Sequence, residues 1–382
     1  MEKRALFEKE LLMSTAEISA LVEKYDTPLF IISREKLATN HRALQEHLPG
    51  VELFYAIKAN PHPAIIQQLY EAGTSFDVAS KNEIDLALRC GVPPERMIFA
   101  NTIKRKKSLR YARQVGIDLI TYDNANEVSK MASEFPGVRV VLRLKTSSEG
   151  SRIDLSYKFG AEPEEAMDLL RLAAGAGLKP VGISFHVGSP CHNPQNYLHS
   201  LDLVRKVIRD ADRAGISLHL VDIGGGFPLH ITKAEDSEAS LEMLAETVGP
   251  VLQEMRAEGL RIIAEPGRVL VGSACLLVTK VIGKAVRSGR IWYYLDDGIY
   301  GTFSAILFDK ARFHFVSLRE SPAMQPCVLA GPTCDSLDVI AEDVFLPPLE
   351  LDDQLFVPDI GAYSWASSTT FNGFDKPTVV LT

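Results

Sequence analysis

The sequence predicts an α/β fold: a (β/α)8 barrel over residues 29–268, followed by a mostly β C-terminal domain over residues 269–382. Two observations predict it. Eight β-prone apolar runs recur over roughly 210 residues, most followed by an amphipathic helical stretch. Such alternation implies parallel pairing with right-handed crossovers, and eight units match a closed barrel. After Arg268 the pattern changes: strand-like runs dominate and helical periodicity nearly vanishes. A doubly wound open sheet is the alternative arrangement of the same units.

Taken in order, residues 1–28 are helix-prone and charged and end in the breaker Tyr25-Asp26-Thr27-Pro28. This segment is expected to pack on the β domain. Leu29–Ile32 is a short strand. The eight barrel runs are Glu52–Ile57, Ser75–Ala79, Met97–Ala100, Asp118–Thr121, Val138–Leu144, Val181–Val187, Leu218–Ile223 and Arg261–Glu265. Between them lie helical stretches such as His62–Ala72, Lys81–Cys90, Pro163–Ala176 and Asn196–Ala214. Leu229–Ser240 reads as a loop inside a barrel unit, and no clear helix follows the last run. The later strands are expected at Val269–Ile282, Ile291–Leu295, Ala305–Phe308, Phe313–Ser317, Pro326–Leu329 and Gln354–Val357.

The 382 residues are 46% hydrophobic, enough to bury a sizeable core. A net charge of −8 argues against a nucleic-acid binder, and the run Lys104-Arg105-Lys106-Lys107 reads as a solvated helix start. No apolar run reaches the ~18 residues of a membrane helix. The charged opening Met1-Glu2-Lys3-Arg4 lacks a signal-peptide core, so a cytoplasmic location is expected. The five cysteines are odd in number and widely spaced, without zinc-ligand spacing, which fits reduced thiols and no metal site.

In a barrel, chemistry sits where strands end and loops begin. Those positions hold Lys58, Asp77, Asn101, Arg143, His186, Gly224, Gly225, Gly226 and Glu265. Lys58 follows the apolar run Phe54-Tyr55-Ala56-Ile57. Taken alone, a strand-end lysine is usually solvated. Desolvated there, it would lose its charge readily and become the nucleophile that a Schiff base requires. The three glycines allow a sharp turn whose N–H groups face an anion, although such a run is often only a turn. Glu265 can pair with a protonated ring nitrogen and Arg268 can hold a phosphate; an internal Glu–Arg ion pair is the plainer reading. His186 lies on an apolar strand, where histidines are commonly core residues, and among these neighbours suits ring stacking or proton handling. Lysine, anion cradle, carboxylate and imidazole together are the parts that pyridoxal 5′-phosphate needs.

Seven stretches resemble the ornithine/diaminopimelate/arginine decarboxylase family, in motif order over about residues 28–377. They are Tyr55–Asn60, Phe76–Ser80, Phe185–Ser189, Asp222–Phe227, Ala264–Arg268, Asp297–Gly301 and Gly331–Ser336. The resemblance implies a fold-type III (alanine racemase-like) pyridoxal enzyme, a head-to-tail homodimer with shared active sites and an amino-acid substrate. By motif it implies that Lys58 carries the cofactor, His186 stacks on its ring and Glu265 meets its nitrogen. Asp77, Ser189, Gly224, Gly225, Gly226, Arg268 and Tyr363 are similar to the remaining cofactor and phosphate contacts. Cys334 and Asp335 resemble the pair that reaches the site from the partner subunit, with Cys334 the acid that protonates the product carbon.

Within the family, Asp335 after the cysteine is similar to the ornithine branch, whereas diaminopimelate decarboxylases tend to carry glutamate. Phe308-Asp309 resembles that branch's aromatic–aspartate pair, in which the aspartate meets the distal ammonium. Lys310 departs from the branch, where histidine is common. Ornithine, giving putrescine for polyamine biosynthesis, is the expected substrate, with lysine next. The alternatives are diaminopimelate decarboxylation, an amino-acid racemase on the same fold, and a non-catalytic relative.

Overall fold

The computed structural model describes residues 12–229, 240–319, 321 and 323–382. The start of the charged N-terminal segment and most of the expected loop at 229–240 lie outside the described residues. The chain divides into two compact units, residues 38–270 and residues 1–37 with 271–382.

The first strand, β1 (Leu29–Ile32), belongs to the second of these units. The first unit is a closed parallel barrel. Its strands are β2 (Glu52–Ala56), β3 (Ser75–Val78), β4 (Met97–Phe99), β5 (Leu119–Tyr122) and β6 (Arg139–Arg143). A short β7 (Ser151–Ile153) follows, then the barrel strand β8 (Lys179–Ser184), a short β9 (Ser189–Cys191), and the barrel strands β10 (Leu220–Asp222) and β11 (Arg261–Ala264). The order β10-β11-β2-β3-β4-β5-β6-β8 closes on itself. Helices separate consecutive strands; the longest are Gln195–Arg213 and Leu241–Ala257. The open-sheet alternative is therefore excluded.

Strand alternation fills the barrel. Phe54, Ile98, Leu119, Val141, Val181, Leu220 and Ile263, one from each of seven strands, form one buried cluster. The eighth strand, β3, is the exception. Register sets Ser75 opposite Phe54 and Asp77 opposite Ala56, so at these interior positions β3 offers polar groups. The barrel lining thus turns polar toward the carboxyl ends of its strands, where Asp77 lies 2% exposed.

The second unit is an eight-stranded sheet. Its further strands are β12 (Cys275–Arg287), β13 (Arg290–Leu295), β14 (Val316–Ser317), β15 (Gln325–Ala330), β16 (Val339–Leu346), β17 (Gln354–Val357) and β18 (Thr378–Leu381). β1 runs antiparallel to β12 and parallel to β18. The barrel boundary expected at residue 29 is corrected accordingly: β1 is a strand of the β unit. Helix Thr15–Tyr25, closed at its start by a Ser14–Glu17 capping box, buries Ile18 against Leu29, Ile31, Leu276, Val278 and Phe356.

Three expected strands also change. Ala305–Phe308 is a single helical turn. The run expected from Val269 starts as helix Arg268–Val271 and becomes strand only at Cys275. Of Phe313–Ser317, only Val316–Ser317 pairs. Among the described residues no helix is long and apolar enough to cross a membrane.

Candidate active site

The site residues of the barrel unit gather at the carboxyl ends of its strands. Lys58 lies in the 3-10 turn Ile57–Ala59 that caps β2. Its Nζ is 2.6 Å from Asp77 Oδ2 at the end of the neighbouring strand, where register sets Ala56 against Asp77. The dry environment expected for this lysine is corrected. Its side chain is 45% exposed, and the buried member of the pair is Asp77, at 1%. Asp77 Oδ1 is buried and meets no hydrogen-bond partner among the described residues.

Asp222 ends β10 and Glu265 follows β11, on adjacent parallel strands. Their carboxyls lie in each other's fields, and Asp222 Oδ1 accepts the Gly224 N–H at 2.8 Å. Two neighbouring carboxyls in a water-poor site cannot both ionise cheaply. Burial pushes Asp222 up to about 7. Burial, then the negative charges of Asp222 and Asp77, hold Glu265 well above the ordinary carboxylate range. The pair therefore holds a proton near neutrality. Glu265 Oε1 is buried and meets no hydrogen-bond partner among the described residues, so one oxygen of the pair remains for an incoming donor.

Cationic charge comes from Lys58 and from Arg143 at the end of β6. The Arg143 guanidinium lies 5.2 Å from the Phe159 ring centre and in the fields of Glu265, Asp123, Asp222 and Asp77. Burial, then the charges of Arg143 and Lys58, pull His186 well below the usual imidazole value. Its Nδ1 accepts the Gly188 N–H at 3.1 Å, so the proton of the neutral ring sits on Nε2. His186 is thus a neutral, directionally fixed ring.

Gly224 and Gly226 adopt φ of 65° and 99°. A Cβ at either would lie 2.3 Å from a carbonyl oxygen, of Phe185 or Gly188 respectively, so the turn tolerates only glycine there. The carbonyls of Gly224, Gly225 and Gly226 accept from Glu265 N, the Tyr197 hydroxyl and Cys191 N. The N–H groups of Gly225 and Gly226 meet no acceptor among the described residues. Two uncommitted N–H groups in a turn rigidified through its carbonyls are available to an anion. Ser189 opens β9 one residue beyond Gly188, and Arg268, 8% exposed, opens the turn after β11.

The remaining expected residues lie in the β unit. Cys334 is exposed. Asp335 accepts the Tyr300 hydroxyl and the Leu337 N–H. Asp309, 7% exposed, ends the turn Ala305–Phe308. Lys310 takes φ 50° and is exposed, so the buried aspartate and the cation after it occupy different surroundings. Tyr363 adopts φ 58°, and its carbonyl accepts from Ser367.

Sequence reasoning missed Tyr197, Glu83 and Asp338. Tyr197 carries no motif. Glu83 was findable, because Ser80-x-x-Glu83 is a capping-box signature. The Ser80 hydroxyl accepts the Glu83 N–H, while the Glu83 carboxylate reaches one residue further back, to the Ala79 N–H. Asp338 accepts from Ile299 N, Thr333 N and the Thr333 hydroxyl, tying together two of the motif loops.

Comparison with known proteins agrees with this chemistry. Residues 34–272 match the family model for the pyridoxal-dependent decarboxylase, pyridoxal binding domain. The lysine/ornithine decarboxylase of Selenomonas ruminantium is 36% identical over 98% of this chain and 94% of its own length. Antizyme inhibitor 2 of Xenopus laevis is 38% identical over 92% of this chain and 80% of its own length. The crystal structure of lysine/ornithine decarboxylase from Vibrio vulnificus, complexed with putrescine, superposes with a TM-score of 0.89 at 36% identity. That match covers 97% of this chain and 99% of the other.

The barrel mouth also passes a chemical test for the cofactor that the family model names. It holds an amine, a proton-sharing carboxyl with an unpartnered oxygen, a neutral ring and two open N–H groups. This chain belongs to the pyridoxal-dependent decarboxylase family and is an amino-acid decarboxylase that uses pyridoxal 5′-phosphate.

Proposed function

We propose that the chain decarboxylates L-ornithine to putrescine and, second to it, L-lysine to cadaverine, as a cytoplasmic homodimer serving polyamine formation. When bound, pyridoxal phosphate supplies the electron sink for the pair left at the substrate Cα as CO2 departs. Lys58 would hold its aldehyde carbon through Nζ, with Asp77 orienting the amine. Glu265 would face the ring nitrogen and share a proton with it, and His186 would cover one ring face without adding charge. Gly225, Gly226, Ser189, Arg268 and Tyr363 would hold the phosphate. The observation that carries this assignment is Glu265 Oε1, a buried, partnerless oxygen of a proton-sharing dyad at the same strand ends as Lys58.

Cys334 would give its thiol proton to Cα after CO2 leaves, and the thiolate would recover a proton from water. An exposed thiol in the company of exposed Leu337, Phe371 and Phe374 supports a shared site in which one subunit lends Cys334 and Asp335 to the other. Of the three proteins compared above, two bear names of decarboxylases and one that of an inhibitor. The retention of Lys58, His186, Glu265, Arg268, Cys334 and Tyr363 in this chain favours the catalytic reading.

Substrate choice rests on Asp309 and Asp335. A distal ammonium entering a closed site loses water, and carboxylates must replace it. Two short aspartates suit a three- to four-carbon side chain. They repel the second carboxylate of diaminopimelate and leave little width for guanidinium. A competition assay with ornithine, lysine, arginine and diaminopimelate should rank ornithine at least equal to lysine and both well ahead of the others. Asp309→Ala should lower kcat/KM for ornithine about 10²-fold or more with the cofactor spectrum unchanged. Undiminished ornithine turnover by that variant would put the substrate pocket elsewhere.

A further inference from the structure

The segment Phe371-Asn372-Gly373-Phe374, which begins with a 3-10 turn, makes contacts that none of the roles above explains. Asn372 adopts φ 56°, an uncommon backbone state for a residue with a side chain. In that turn its Oδ1 accepts the backbone N–H of Cys334 at 2.9 Å, across 38 residues of sequence. The preceding ring, Phe371, stacks on Tyr300 with centroids 4.4 Å apart and planes 28° from parallel. Tyr300 in turn donates its hydroxyl to Asp335. The base of this arm is tied as well: Thr369 bonds the Tyr300 carbonyl through both its N–H and its hydroxyl, and its hydroxyl accepts the Phe371 N–H. On the other side of Cys334, Asp338 accepts the Thr333 N–H at 3.0 Å.

The cysteine–aspartate pair is therefore gripped twice from one short segment, by Asn372 at the Cys334 backbone and by Phe371 through Tyr300 at the Asp335 carboxylate. A thiol that must meet one carbon and no other needs its own backbone fixed, because a small misplacement of a reacting group is costly. Lost hydrogen bonds to a loop N–H free the φ of the residue that carries it.

We propose that Asn372 is a positioning residue for Cys334, holding the backbone from which the thiol delivers its proton to the substrate Cα. This rests on the proton-donor reading of Cys334. In the balanced step, the S–H bond breaks as the Cα–H bond forms. If the proton goes to the cofactor carbon instead, water releases an aldehyde and pyridoxamine phosphate in place of the diamine.

Asn372→Ala and Asn372→Asp separate positioning from general loop damage, because aspartate keeps an oxygen acceptor at the same reach. Hydrogen exchange at the Cys334 amide, read on the holoenzyme, should speed up on the order of tenfold in Asn372→Ala and stay near the parent value in Asn372→Asp. In parallel, the fraction of turnovers ending in aldehyde and pyridoxamine phosphate should rise about tenfold in Asn372→Ala and return toward the parent in Asn372→Asp. KM for ornithine should move less than about twofold. Cys334→Ala is the control. If it leaves product partition unchanged, the proton-donor reading fails whatever Asn372 does. If Cys334→Ala shifts the partition and Asn372→Ala does not, or if the Cys334 amide keeps its protection in Asn372→Ala, the positioning role of Asn372 is overturned. A double variant no worse in partition than Cys334→Ala would show that Asn372 acts through the thiol, and additive damage would refute that.

Discussion

The two ends of the barrel carry charge in opposite ways. At the amino ends of the strands, Arg261 bonds Glu52 through two nitrogens at 2.6 and 2.7 Å, and Arg139 bonds Asp118 in the same two-pronged fashion. All four side chains are 40–52% exposed, so water screens each pair. Beside the first pair lies a cavity of about 400 Å³ whose lining includes Glu52, Arg96 and Arg261. At the carboxyl ends, Asp77, Asp222 and Glu265 crowd Arg143 with little water and with oxygens left unpartnered. One end settles its charges locally. The other keeps them unsettled, which weakens the fold and gives the mouth the chemistry of a functional site.

The largest test of that contrast is at the mouth. Lys58→Ala should lower decarboxylation by roughly 10³-fold or more, since its amine is the one paired with Asp77 at the barrel mouth. Steady-state assay together with the visible spectrum of the bound cofactor checks this. Normal turnover would break the assignment. Next in size, Cys334→Ala should turn a major share of product from diamine to aldehyde while the cofactor still binds. Mixing it with Lys58→Ala should restore part of the activity if the two residues meet across a subunit interface.

The dyad makes a smaller prediction about stability. Asp222 binds protons more tightly folded, at about 7, than at its ordinary value of 3.8. Its cost to the cofactor-free fold is absent below about pH 4, grows as pH rises toward 7, and is complete above that. Asp222→Asn keeps an acceptor for the Gly224 N–H and removes the charge. The cofactor-free variant should therefore gain on the order of 1 kcal/mol or more over the parent at pH 8, with the gain fading toward pH 4.5. Denaturant melts at the two pH values decide it, and a pH-independent difference would refute the proton-sharing account.

The smallest effect belongs to the opposite end. Glu52→Gln removes a half-exposed partner of Arg261 and should cost no more than about 1 kcal/mol by denaturant melts. Cofactor binding should not change. A loss comparable to that at the mouth would erase the distinction between the two ends.

Much of this was legible in the chain. The alternating runs announced the barrel because both strand and helix periods repeat locally, and the site could be read by taking only the residues at strand ends. What failed was non-local or too short. The barrel boundary fell at residue 29 because nothing near Leu29–Ile32 discloses a partner at Cys275–Val278. Ala305–Phe308 is four apolar residues, too few to tell strand from helix. β16 went unread because Glu342 and Asp343 interrupt it with charge, as an exposed strand permits. At the site, Glu265 and Arg268 were weighed as an ion pair. The charge that acts most on Glu265 is another acid, Asp222, a neighbour set by strand pairing rather than by sequence distance.

The central claim is that the charged barrel mouth holds pyridoxal phosphate through Lys58. Borohydride reduction of the cofactor-loaded protein, followed by peptide mass mapping, tests it most directly. The account predicts one phosphopyridoxyl label per chain, on the peptide containing Tyr55–Asn60 at Lys58, and none in Lys58→Ala. A label on another lysine, or an unlabelled Lys58 in an active enzyme, would contradict it.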